Sequence, residues 1–220
     1  MTNIFELLHH NNKDSKENGT QISYNNTVTI AGRIVHIFAP GNVTIITISA
    51  STNRINYPKV LFFGDNCEKA AQFKIGDMVR IEGNIQSSKV EPGKNLKSVS
   101  VFGDNIEHMD DYQAESFYDV GSNINRIEVT GTVVDFFDWN HILKLKIRTF
   151  KNNRMSIVPV DYYHSGTNPL SNIKAGDVIS LKGNIQTRKK LLDGKTVHFE
   201  NYVARNIIVN DVSCRELEVV

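Results

Sequence analysis

One pattern occurs twice in this chain and constrains everything else. Residues Ile75–Gln86 read IGDMVRIEGNIQ, and residues Ala175–Gln186 read AGDVISLKGNIQ. Each copy has a Gly-Asp turn, an alternating run, and then Gly-Asn-Ile-Gln. Val79, Ile81 and Ile85 oppose Arg80 and Glu82; Ile179, Leu181 and Ile185 oppose Ser180 and Lys182. Strict alternation predicts a strand with one buried face. Gly83 and Gly183 lie inside these strands, where glycine marks a bulge or a barrel corner.

The repeat extends further. Val28–Phe38 aligns with Ile127–Phe137, Phe62-Phe63 with Tyr162-Tyr163, Gly93-Lys94 with Gly194-Lys195, and Asn105-Ile106 with Asn206-Ile207. The offset stays near one hundred residues. That is a domain length, not a solenoid period of about 20–50 residues. The chain reads as a duplicated all-β domain: a flexible leader (1–26), a first domain (27–106), an acidic connector (107–125), a second domain (126–212) and a short tail (213–220).

Within each half the turn residues divide the chain into five strands. In the first they fall near 27–38, 43–50, 57–63, 77–87 and 97–106, with a helix at 65–73 opened by Asp65 as N-cap. In the second they fall near 126–137, 141–150, 155–163, 177–187 and 195–210, and Asn168-Pro169 leaves room for at most a shorter helix. Five strands with a helix between the third and fourth is the order of the OB-fold, a small Greek-key barrel.

A net charge of +1 conceals an uneven distribution. The two domains carry +3 and +5, the connector −5. This pattern points toward a polyanionic partner. Cys67 and Cys214 match no metal or redox spacing and read as free thiols. No signal peptide is recognised and no apolar run approaches the roughly 18 residues of a membrane span, so a cytoplasmic protein is expected. His9-His10 reads as a solvated pair rather than a metal site. No phosphate loop, nucleophile elbow or metal-ligand spacing is present, and the sequence implies neither an enzyme nor a cofactor.

The third strand carries the chemistry. Pro58, Val60 and Phe62 suit the core, which sends Tyr57, Lys59, Leu61 and Phe63 outward. In an OB-fold this face binds oligonucleotides, and aromatics there stack on bases of any sequence. In the second half Val158, Val160 and Tyr162 point inward, while Ile157, Asp161 and Tyr163 point outward. Its second strand alternates Leu145 and Ile147 with Lys144, Lys146 and Arg148, and the outward parity continues to Phe150. A lysine row on an edge strand also blocks aggregation. The matching positions in the first half are Ile45, Thr47, Ser49 and Ser51. Arg188-Lys189-Lys190 forms a third basic patch before a turn, as a loop that wraps over a bound strand or as a solvated hairpin tip.

The run Leu61–Gln86, together with Gly183–Lys190 and Asp193-Gly194-Lys195, resembles the bacterial-type single-stranded DNA-binding protein. The resemblance covers most of the chain in two copies. It implies a tandem OB-fold protein that coats single-stranded DNA in replication, recombination or repair, with four OB units assembled as a homodimer. The family's strand-three stacking aromatics fall on Tyr57 and Phe63. Its aromatic after strand two falls near Arg54, and its aromatic in the fourth loop falls on Val90 and Lys190, which depart from the pattern. The acidic, Phe-terminated tip is missing from the ending Glu216–Val220. These departures fit a divergent phage, plasmid or mobile-element member.

The candidate contacts are Arg54, Tyr57, Lys59, Phe63, Lys89 and Lys94 in the first half. In the second they are Trp139, Lys144, Lys146, Arg148, Phe150, Tyr163, Arg188, Lys189 and Lys190. The partner that the resemblance implies is single-stranded DNA, with RNA left open. The rival readings are a protein-interaction module that does not coat DNA and a nuclease using Asp135, Asp138 and Asp161.

Overall fold

A computed structural model describes residues 23–51, 55–87, 98–109, 124–166, 170–192 and 195–210. The first half contains β1 (Asn25–Phe38), β2 (Val43–Ser51), β3 (Ile55–Asn56), β4 (Lys59–Phe63), α1 (Asp65–Ala71), β5 (Met78–Ser87) and β6 (Val99–His108). The second contains β7 (Asn125–Trp139), β8 (Ile142–Lys151), β9 (Arg154–Tyr163), β10 (Val178–Leu192) and β11 (Lys195–Asn210).

Two rings close. In the first, β1 pairs with β2, β2 with β4, β4 in parallel with β6, β6 with β5, and β5 back to β1. The second runs β7-β8-β9-β11-β10 and returns to β7, again with one parallel pair, β9–β11. Each ring is a five-stranded OB-fold barrel, as the strand order predicts. Alternation fills the interiors: Ile30, Ile46, Ile48, Val60, Phe62, Ile81 and Ile85 in one, and Ile127, Leu143, Leu145, Ile147, Val158, Ile179 and Ile185 in the other. Gly83 and Gly183 each sit at a ladder irregularity. A side chain there would strike the backbone carbonyl of Phe102 or Val203, so only glycine permits the bend.

The barrels are not merely tethered through residues 107–125. β1 and β7 pair antiparallel, so all eleven strands belong to one hydrogen-bonded sheet containing two rings. Val28 lies opposite Ile127, its own counterpart in the repeat, and Thr27 and Thr29 lie opposite Glu128 and Arg126. A local two-fold axis therefore passes through the Val28–Ile127 pair. On either side of it a buried asparagine imitates a strand. Asn26 donates to Ile85 O at 2.7 Å and accepts from Ile85 N at 3.0 Å. Asn125 does the same to Ile185, at 2.8 and 2.9 Å.

Several local expectations are corrected. Asn25 and Asn26 belong to β1, not to a leader. The predicted third strand, 57–63, starts only at Lys59, and a separate two-residue strand, Ile55–Asn56, precedes it; Tyr57-Pro58 lies between the two, where proline has no N–H for the ladder. Asp65 is the first helical residue rather than the cap; the cap is Gly64, whose φ of 56° suits glycine, and no side chain caps the helix. Between β9 and β10 the expectation of at most a shorter helix is not contradicted: no helix occurs there among the described residues. Cys67 is a buried free thiol beside Thr44; Cys214 lies outside the described residues. No helix among the described residues is long and apolar enough to cross a membrane.

Candidate nucleic-acid interface

The outer face of β2, β4 and β6 follows from ladder register. Val43 lies beside Phe63, Ile45 beside Leu61, Thr47 beside Lys59, and Leu61 beside Phe102. With Val60 and Phe62 wholly buried, the alternate residues must face out. Phe63 is 45% exposed and Tyr57 36%. Phe63 stacks on Phe102 with centroids 5.2 Å apart and planes at 19°. Phe102 was not among the predicted contacts. Its signal was parity alone: Val101 and Gly103 are buried on either side of it.

Tyr57 and Lys59 do more than present side chains. The Tyr57 N–H donates to Thr187 Oγ1 at 3.0 Å, and the Lys59 N–H donates to Glu200 Oε1 at 2.7 Å, both in the second barrel. The two-fold relation repeats the first contact: the Ile157 N–H donates to Ser87 Oγ at 3.1 Å. It does not repeat the second, because the counterpart of Lys59 is Pro159, which has no N–H. Val99 accordingly stands where the other barrel has Glu200. Desolvation pushes the Glu200 carboxyl up to about 7, opposed by the N–H and charge of Lys59. Burial and then the nearby Glu200 push the Tyr202 hydroxyl up.

In the second barrel Lys144, Lys146 and Arg148 project from β8 while Leu143, Leu145 and Ile147 are buried. The row has the predicted parity but is not a bare cationic strip. Lys144 pairs with Asp161 at 2.9 Å and Lys146 with Asp135 at 2.7 Å. The Lys146 ammonium holds the Asp135 carboxyl below its ordinary range. Asp138 meets His164 at 3.1 Å. The three acids weighed for a nuclease thus face three different basic partners. Among the described residues no group of three or more His, Cys, Asp or Glu side chains could hold a metal. Beside this row a groove of about 250 Å³ is lined by Asp135, Phe136, Phe137, Lys144, Lys146, Pro159 and Asp161, among others.

Tyr163 is 40% exposed, and its hydroxyl accepts from Arg188 at 2.6 Å, which brings two predicted contacts together. Lys189 and Lys190 are exposed on the β10–β11 arm, whose ladder runs out to Leu192 and Lys195. Phe150, by contrast, is half-buried and packs edge-on against Tyr24 at 5.0 Å. Trp139 is 58% exposed next to the tight β7–β8 turn, where Asn140 and His141 have φ of 48° and 65°. Phe137 and its counterpart Phe38, 61% and 53% exposed, flank the equivalent hairpins. The sequence places both at strand ends, and the recurrence of an aromatic at the two repeat positions is the signal that marks them. Arg54, Lys89 and Lys94 lie outside the described residues.

No protein-family profile matches the sequence, and no curated relative is found. Among solved structures the chain is similar to the wild-type single-stranded DNA binding protein from Thermus aquaticus. The TM-score is 0.59 and the identity 15%, over 85% of this chain and 93% of that one. A deletion mutant of the same protein gives 0.59 and 16%, over 85% and 95%. At these identities what is shared is the fold.

Proposed function

We propose that the protein binds single-stranded DNA with little sequence preference and performs no chemistry on it, acting in replication, recombination or repair. The observation that carries this reading is the outer face of each barrel. Exposed aromatics share parity with cations there: Tyr57, Lys59 and Phe63 in one barrel, Lys144, Lys146, Arg148 and Tyr163 in the other. Rings stack on bases whatever their identity, and cations follow the phosphates. The fold likeness to a single-stranded DNA binding protein supports the reading. A homodimer presenting four barrels belongs to the same proposal; light scattering should then return a mass of about 50 kDa, twice 24.8 kDa, and a monomer mass would count against it.

The ion pairs of Lys144 and Lys146 favour a second reading, an OB-fold interaction module that does not coat DNA. Fluorescence titration with oligo(dT), duplex and RNA separates the two. Saturable binding of oligo(dT) in preference to duplex is expected. Equal weak binding of all three would leave the module reading.

A further inference from the structure

We propose that Phe63 and Phe102 of the first barrel and Arg154 of the second form one base-stacking step shared between the barrels, over which a single strand passes from one to the other. The proposal rests on the single-strand reading above and adds two residues and a path to it.

The contact is built by both halves. The Arg154 guanidinium sits 5.6 Å from the centroid of the Phe102 ring, within cation–π range. Phe102 in turn stacks on Phe63, whose remaining surface is open. Arg154 reaches this position because β8 and β9 meet in a tight turn, with Asn152 and Asn153 at φ of 49° and 60°. Two contacts hold that hairpin against the first barrel. Lys151 pairs with Asp104 at 2.8 Å, and Ile157 N–H meets Ser87. A guanidinium over a ring keeps its edge donors free for phosphate, while the Phe63 ring offers a π-face. That combination selects unstacked bases on a continuous backbone, which a duplex does not present. The sequence also carries an arginine at the counterpart position, Arg54.

The test is fluorescence anisotropy of labelled oligo(dT) at several salt concentrations, on the full chain and on F102L, R154Q and R154K. Thermal melts report whether each variant is folded. Removing one stacking partner should weaken binding by about fivefold or more. R154Q should also flatten the slope of log affinity against log salt by about 0.7. R154K should keep the slope and still bind more weakly, since lysine restores the charge but not the planar group. If wild type binds while F102L and R154Q match it in affinity and slope, the shared step is wrong and the single-strand reading stands. If wild type binds no oligo(dT), that reading fails and takes the proposal with it.

Discussion

On the outer face of β2 the first barrel carries Ile45, Thr47 and Ser49; at the same places on β8 the second carries Lys144, Lys146 and Arg148. Neighbouring strands have changed with them. Leu61 has the counterpart Asp161 and His36 the counterpart Asp135, so the acids appear only where the lysines are. On β2 the first barrel therefore presents an uncharged row beside exposed aromatics, and on β8 the second presents three cations, two of them ion-paired. Beneath these rows nothing comparable has diverged: ring order, glycine bends and asparagine clamps recur. Core positions answer to packing inside one barrel. Face positions answer to a partner, and a duplicated partner site need not be kept twice.

The junction gives the largest expected asymmetry. Glu200 has a carboxyl near pH 7 when folded and near 4.5 when unfolded. Its folded value is raised, so its contribution to stability is complete below about pH 4.5 and is lost as pH rises through about 7. Glu200→Gln keeps an acceptor for the Lys59 N–H without the charge. It should stabilise the protein at pH 8 by at most about 3 kcal/mol and have little effect at pH 4. Val99 offers no such group in the other half. Urea unfolding at both pH values checks this; a gain independent of pH would show that the carboxylate is not the cause.

The clamps should instead behave alike. Asn26→Ala and Asn125→Ala each remove a donor and an acceptor from a buried backbone pair, which should cost about 2 kcal/mol. Nearly equal losses in denaturant unfolding would support the two-fold relation, and a difference beyond about 1 kcal/mol would break it. On the binding side, Phe63→Ala and Tyr163→Ala should each cost about 1–2 kcal/mol of oligo(dT) affinity. Phe63 should weigh more, because Tyr163 is already bonded to Arg188. A larger loss at Tyr163, measured by the same titration, would reverse the assignment.

What the sequence made legible follows the same division. Alternation in β4, β8 and β9 identified which side chains face out, since the pleat has a period of two and the core excludes charge. The duplication and the strand order were equally readable. The β1–β7 union was not, because the paired stretches, Asn25–Ile30 and Asn125–Thr130, alternate polar and apolar residues as any half-buried strand does, and nothing in that pattern marks pairing with the other barrel. Nor were the partners of Lys144 and Lys146 evident, since Asp135 and Asp161 lie on other strands and only register brings them across. Phe102 was hidden for a similar reason. A lone aromatic between small buried residues reads as core until its neighbours show which side it takes.

The smallest expected effect concerns those ion pairs. Same-face residues on a strand lie about 6.5–7 Å apart, close to the phosphate spacing of an extended single strand. If all three cations of β8 met phosphate, changing them together to Gln would flatten the salt slope by up to about 2. The pairs argue for less. Lys144 and Lys146 must leave Asp161 and Asp135 to reach a phosphate, and an exposed pair is worth about 1 kcal/mol or less. The first barrel lacks both the cations and the acids, so the experiment isolates the second. The Gln triple should flatten the slope by nearer 1 than 2. Asp135→Asn with Asp161→Asn should do the opposite, steepening the slope and raising affinity about threefold at low salt, since the lysines lose their competitors. Base preference should not move in either variant, because phosphates carry no sequence information. Should the acid-to-amide variant bind no better than wild type, the row lies outside the path of the strand and is a solvated, ion-paired face of β8, which is paired on both sides and has no edge to protect.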